Sequence, residues 1–370
     1  MRARICLSTL IALIGLCLGA APADVGFIIG MWHRPLTDDG ARAAMWDRCE
    51  RAGVTDLFVE VFHHGFTIYP SNAERTFEER PDLAGRDLLG AYIEEGHARG
   101  IRVHAWLDLL LWGPDPERKP DAPLCQYESR HDLRVMDAEG RTTRMLFVSP
   151  AHPEVSHLVT LLPLEIGRLH PDLDGIHLDR VRYPGGADFT RNPAGITAFI
   201  RAGHRDPSED DSEANLAAWR EACEGHLRSL VSQIALVVHE IHSRTIDVTA
   251  AVRAEPGVDD FTYETWPTWL SGGSLDAVVP QCFAGDIETI TQQARGAAEI
   301  AEPFPTPCLI GLAYRPGDDS PSVSDQLEAV EDLPIQGVVW FSENWLAEEP
   351  ELFDEIGAWV RGETSSPEAD

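Results

Sequence analysis

The sequence predicts an α/β fold, a (β/α)8 TIM barrel with long βα-loop insertions, and three observations predict it. Short apolar runs rich in β-branched and aromatic residues alternate along the chain with amphipathic stretches of helical period. Polar and aromatic residues collect at the carboxyl ends of most of these runs, as the single catalytic face of a barrel demands. No G-x-G-x-x-G or G-x-x-x-x-G-K-[ST] turn follows any of them, which disfavours the doubly wound open sheet that the alternation also fits. A barrel takes about 250 residues, so a chain of 370 leaves room for insertions.

In chain order, residues 1–23 read as a secretory signal peptide. Arg2 and Arg4 precede an apolar run from Ile5 to Leu18, and Ala21-Pro22-Ala23 is an A-x-A-like cleavage site. The run is short for a membrane span, so an exported product, periplasmic or secreted, is expected. The barrel is expected over residues 24–361 and a disordered tail over 362–370. Strands are expected at 25–32, 56–62, 102–109, 175–181, 247–252, 277–283, 308–314 and 337–342. Met45, Trp46 and Cys49 recur at helical spacing before the Gly53 stop, and Leu89, Tyr92 and Ile93 do so before Gly100. Further helices are expected at 155–169, 215–242, 287–300, 324–330 and 349–361. Two long loops, 112–148 and 185–213, follow the third and fourth strands. The second carries the acidic run Ser208-Glu209-Asp210-Asp211-Ser212-Glu213, whose spacing does not copy an EF-hand.

Composition narrows the partners. A net charge of −31 disfavours nucleic acid and anionic membranes, which need Lys and Arg on the binding face. It suits a neutral or weakly charged substrate. Beyond the signal segment the cysteines are Cys49, Cys125, Cys223, Cys282 and Cys308, with no C-x-x-C pair, so neither a disulfide framework nor a zinc knuckle is indicated.

The most informative stretch runs from Asp174 to Pro184. Ile176, Leu178 and Val181 make a buried strand, entered through Asp174-Gly175 and stopped by Tyr183-Pro184. It delivers His177, Asp179, Arg182 and Tyr183 towards one end, which is expensive as mere architecture. Carboxylates among tryptophans suit a sugar, whose ring faces stack on indoles while its hydroxyls meet Asp, Glu, Gln and Arg. Glycoside hydrolysis needs two carboxyl groups, one of them protonated. Asp179 is the leading nucleophile or base, with Arg182 expected to hold it ionised. Glu60, Glu343, Glu264 and Glu255 compete to be the acid, and for any one of them a rim salt bridge is the commoner fate. His104, Asp108, His177, Arg182, Tyr183 and Gln281 are expected to position the sugar, with Trp32, Trp106 and Trp340 as stacking platforms. No cofactor and no metal site are expected. His239-Glu240-Ile241-His242 lacks the H-E-x-x-H spacing, and His63 and His64 point to opposite sides if extended. A G-x-S-x-G nucleophile is absent. A carbohydrate-binding barrel without catalysis and a metal-dependent hydrolase are the competing readings.

The chain resembles the glycosyl-hydrolase-like 10 family of exported proteins. The resemblance rests on Tyr69-Pro70-Ser71, His104-Ala105-Trp106-Leu107, Ser149-Pro150 with Pro153-Glu154-Val155, and above all Asp174-Gly175-Ile176-His177-Leu178-Asp179 with Arg182-Tyr183-Pro184. Trp219-Arg220, Val279-Pro280-Gln281 and Phe341-Ser342 follow in the family's order. It implies a TIM barrel that hydrolyses glycosidic bonds, with some members linked to peptidoglycan glycan strands or other extracellular polysaccharide, and it places the family's strand-four Asp at Asp179. Several positions depart from the pattern. Arg180 stands where many members have a second Asp, and the usual Gln-x-Arg-x-Asn-Gly reads Glu60-Val61-Phe62-His63-His64-Gly65. Tyr-Gln-Asp-Trp appears as Tyr263-Glu264-Thr265-Trp266, and His-Ala-Trp-Leu-Asn ends in Asp108. The implied pocket keeps its outline while its polar contacts are rewritten.

Overall fold

In a computed structural model, residues 24–29, 33–71, 76–241, 246–257, 261–317 and 320–363 are described. The signal segment, Trp32, His242 and most of the tail lie outside them. One sheet of ten strands closes on itself, and two of its strands, Phe66–Thr67 and Glu78–Glu79, are only two residues long. The other eight are the barrel: β1 (Asp24–Ile29), β2 (Asp56–His63), β3 (Arg102–Asp108), β4 (Gly175–Asp179), β5 (Asp247–Arg253), β6 (Ala277–Gln281), β7 (Leu309–Ala313) and β8 (Gly337–Phe341). Each pairs in parallel with the next, and β1 pairs with both β8 and β2, which closes the cylinder. Every predicted strand is present.

The alternation of side chains along each strand divides the core in two. Outward residues such as Val103, Ala105, Leu107, Ile176, Leu178 and Val338 pack under the helices in the larger cluster. Inward residues form a small one, in which Phe58, Ala251, Val279, Val339 and Phe341 meet Trp106, Leu309 and Ala313. Two glycines make room in the lumen for their large neighbours. A Cβ on Gly26 would stand 2.6 Å from the Phe58 ring, and one on Gly175 would stand 2.1 Å from His104 Nδ1. Either substitution would force a bulky side chain out of a closed space.

Most predicted helices appear within a few residues of their expected bounds, among them Asp39–Ala52, Pro153–Leu169 and Glu213–Ile241. The loop after β4 holds a helix that hydrophobic periodicity missed, Pro193–Arg201, capped by the Asn192 side chain on Ala194 N. Asn192-Pro193 is itself a start signal, an N-cap followed by proline at the first helical position. Asn192 also donates to the carbonyls of Asp132 and Arg134, both at 2.8 Å, and so ties the two long loops together. Trp112, Phe77 and Tyr127 pack ring against ring, and Tyr127 Oη donates to Thr76 O at 2.6 Å. The insertions are therefore a packed wall over the β2–β4 side of the barrel mouth.

Candidate active site

The carboxyl ends of β2, β3 and β4 put Glu60, Asp108 and Asp179 at the barrel mouth, with Asp108 and Asp179 side by side in register. All three are buried. A β-bulge between Glu60 and Phe62 shifts the pairing of β2 with β3. Val61 and Phe62 both pack outward as a result, and His63 lands on the lumen side with Glu60. His63 Nδ1 lies 2.8 Å from Glu60 Oε1 and 3.2 Å from Asp108 Oδ2. Burial opposes charge on that ring, but Glu60 and then Asp108 outweigh it and hold the pKa up at about 9. The expectation that His63 and His64 diverge fails, because His64 leaves the extended conformation at φ 49° and lies against His63, ring centres 3.6 Å apart. Burial, then the neighbouring His63, push the His64 pKa down to about 3.

The chain turns sharply after Asp179. Arg180 adopts φ 53°, its amide donates to Asp179 Oδ1 at 2.7 Å, and its guanidinium reaches Asp108 Oδ2 at 3.4 Å. The expectation that Arg182 holds Asp179 ionised is outweighed by burial, which raises the Asp179 pKa to about 6 against the pull of Arg180 and Arg182. Glu264 arrives from the loop after β5. Phe261 and Tyr263 take positive φ values of 65° and 55°, and Tyr183 N donates to Thr262 O at 3.1 Å. The Glu264 side chain is 1% exposed and accepts from Arg253 N at 2.8 Å. Burial pushes its pKa up to about 7, with Arg182 and the Arg253 amide pulling down and Asp179 pushing up. Asp179 and Glu264 are thus two buried carboxyls within each other's field, with Arg182 acting on both.

Other sequence candidates are placed elsewhere. Glu343 is fully buried, but it turns outward and accepts from Arg48 Nε at 2.7 Å and from Arg48 Nη2, on helix Asp39–Ala52. It belongs to the helix layer and not to the acid pair. Glu255 is exposed. Trp340 is fully buried in the outer core, because Val339 and Phe341 hold the inward positions of β8. Tyr183 is fully buried beneath helix Glu213–Ile241, with its hydroxyl 3.3 Å from His226 Nδ1. His104 faces the lumen four residues before Asp108, about 13 Å lower at ~3.3 Å per residue, and bonds Asp56 Oδ1 at 2.7 Å. His177 sits one inward position below Asp179, fully buried, with Nδ1 2.8 Å from Thr249 Oγ1; burial, then His104, lower its pKa to about 3. Trp106 and Gln281 remain partly exposed at or near the strand ends. Asp108 Oδ1, Trp106 Nε1 and His177 Nε2 are buried atoms with no hydrogen-bond partner among the described residues. His239 Nε2 bonds Asp276 on the flank at 2.8 Å.

Sequence reasoning missed three residues here. His63 was hidden by the bulge. Arg180 was noted only as a missing carboxylate. Phe283, just past β6, is 43% exposed and packs edge-on against Phe341 at 4.9 Å.

The glycosyl hydrolase-like 10 family model matches residues 36–325. A relative named glycosyl hydrolase DigH, from Escherichia coli O6:H1 strain CFT073, is 23% identical over 329 residues, covering 81% of this chain and 74% of its own. Its counterpart in Escherichia coli K12 is 22% identical over 339 residues with the same coverage. Among solved structures, the catalytic domain of β-amylase from Paenibacillus polymyxa superposes with a TM-score of 0.65 at 12% identity, over 88% of this chain and 94% of that one. A β-galactosidase from Marinomonas ef1 does so with a TM-score of 0.62 at 13% identity, over 91% of this chain and 59% of that one. Those two structures speak for the closed barrel alone. The family model, which spans most of the strands that build the mouth, speaks for descent: this chain belongs to the glycosyl hydrolase-like 10 family.

Proposed function

We propose that this protein is an exported glycoside hydrolase that cleaves a glycosidic bond in an oligo- or polysaccharide, with Asp179 and Glu264 as its carboxyl pair. One observation carries the reading. Two buried carboxyls at one side of the barrel mouth hold pKa values of about 6 and about 7, with Arg182 acting on both. That ordering divides the labour near neutral pH. Asp179 loses its proton first and serves as nucleophile or base. Glu264 keeps its proton longer and delivers it to the leaving oxygen. Trp106 and Phe283 supply apolar surface for ring faces, and the unpartnered polar atoms of Asp108 and Trp106 await hydroxyls. Family membership supports the same class of substrate.

The test is release of reducing ends from a panel of neutral polysaccharides and peptidoglycan glycan strands. Turnover by the wild type, lost in Asp179→Asn and Glu264→Gln, is the expected result. Saturable glycan binding without any turnover would replace the enzyme with a carbohydrate-binding barrel. Export is tested separately, by sequencing the amino terminus of the mature protein, which should begin at Asp24.

A further inference from the structure

We propose that Glu60, His63 and Asp108 form a binding site for one divalent transition-metal cation of the zinc class, one strand away from Asp179. Each residue offers one ligand atom, and the three atoms lie within 4.8 Å of one another. His63 Nδ1 stands between the carboxylates, 2.8 Å from Glu60 Oε1 and 3.2 Å from Asp108 Oδ2. One imidazole nitrogen and two carboxylate oxygens suit zinc or manganese, and three protein ligands leave positions open for water or a substrate hydroxyl. Calcium, which takes six to eight oxygens, fits poorly.

Charge balance favours a cation at this point. A protonated Nδ1 carries a single hydrogen, and an oxygen of each carboxylate faces it. Asp108 Oδ1, on a side chain 1% exposed, still has no partner among the described residues. A divalent ion would satisfy an oxygen of each carboxylate and the imidazole lone pair together, and Asp108 can turn its second oxygen to it. The Arg180 guanidinium is the local competitor. Its contact with Asp108 is loose at 3.4 Å and its side chain is 36% exposed, so it can swing to solvent.

The backbone is shaped to the same end. Without the bulge at Val61, His63 would face the helices and the cluster would lose its only nitrogen. The site does not depend on whether Asp179 hydrolyses a glycoside. If both readings hold, the ion sits beside the reacting carboxylate, in reach of a sugar hydroxyl.

The experiment uses the full mature chain, stripped with chelator, dialysed, and titrated with zinc chloride and manganese chloride alone. Calorimetry and elemental analysis after equilibrium dialysis should give one bound ion per chain. His63→Gln and Asp108→Asn should each weaken binding at least about thirtyfold, whereas the control His104→Gln should leave it unchanged. Absence of saturable binding at millimolar metal by folded wild type would overturn the proposal, as would His63→Gln binding as tightly as wild type. Should the variants not fold, a zinc-edge anomalous map of wild-type crystals decides. A peak about 2.0–2.2 Å from the three ligand atoms upholds the site, and an empty position refutes it.

Discussion

Two clusters in this barrel use the same three side-chain types and behave as opposites. On the floor, Asp56 Oδ1 meets His104 Nε2 at 2.7 Å and Arg102 Nη2 at 2.8 Å, while its Oδ2 accepts from Thr55 Oγ1 at 2.7 Å. Burial works against the Asp56 charge, but the His104 hydrogen bond and Arg102 outweigh it, and its pKa falls below the usual carboxylate range. At the mouth, Asp108 meets His63 at 3.2 Å and Arg180 at 3.4 Å, shares that imidazole with Glu60, and keeps Oδ1 without a partner among the described residues. Three donors converge on one carboxylate below; two carboxylates meet one imidazole above. The lower cluster is closed and stabilises the barrel, and the upper one is where we propose that a cation binds. Stoichiometry and distance, and not residue type, separate an architectural ion cluster from a binding one.

The largest effect expected from that contrast lies at the mouth. Asp179→Asn keeps the shape and the acceptor for Arg180 N but removes the ionisable group, and should lower turnover about a thousandfold or more. Its thermal midpoint at neutral pH should not fall. A variant that loses activity only in proportion to its loss of folded protein would make Asp179 a structural residue like Asp56, and the distinction between the ends would vanish.

Next comes the floor. His104→Ala strips Asp56 of its imidazole partner at 2.7 Å and leaves a buried carboxylate partly compensated, a change that typically costs about 3–5 kcal/mol. Denaturant unfolding should show that loss, while turnover per folded molecule stays near wild type because the ring lies far below Asp179. His63→Ala should also cost stability at neutral pH, since it takes away the imidazolium that Glu60 and Asp108 hold at a pKa of about 9, and it should abolish any stabilisation by added zinc, which His104→Ala should keep. Zinc stabilising the two alanine variants equally would break the comparison outright.

Much of this was legible in the sequence, and the failures share a cause. The strands could be read because Val, Ile, Leu and Phe runs bounded by Gly, Asp and Pro are a local signal. Asp179 was legible because it ends such a run. What local reading cannot give is parity after an irregularity. The bulge at Val61 and the left-handed turn at Arg180 each re-aim the next side chains, so His63 was discounted and Tyr183 was placed in the pocket. Trp340 and Glu343 failed for a related reason: β8 faces the lumen through Val339 and Phe341, which only register with β1 and β7 determines. His104 was misplaced by height, since a polar residue on a strand says nothing of how far it lies from the strand's end.

The pH profile sharpens the comparison at a smaller scale. Two mouth carboxyls titrate near neutrality, Asp179 at about 6 and Glu264 at about 7. The proposed roles require the first ionised and the second protonated, so kcat/KM should rise as pH passes about 6 and fall as it passes about 7. Beyond either limb it should drop about tenfold per unit. Residual activity of Glu264→Gln should lose the alkaline limb. A wild-type plateau extending past pH 9 would remove Glu264 as the acid.

The smallest effect runs the other way, towards stability. Asp179 and Glu264 are raised in the folded state above their usual carboxyl values, chiefly by burial. A carboxyl raised on folding is neutral in both states at pH 3, where it costs nothing. Above its unfolded value the unfolded chain ionises first, so stability declines through that interval, and the loss is complete once the folded value is passed. For Asp179 the interval is about pH 4 to 6, and for Glu264 about pH 4 to 7. Asn and Gln can still accept the Arg180 and Arg253 amides but cannot ionise. Asp179→Asn and Glu264→Gln should therefore stabilise the protein at pH 8 by on the order of 2 kcal/mol each and change little at pH 3. Asp56→Asn should do the reverse at pH 8, because the floor pair depends on the Asp56 charge. Thermal midpoints of the three variants at both pH values test this. If the mouth variants gain nothing at pH 8, ionising those carboxyls is not costly to the fold, and the mouth is as well compensated as the floor.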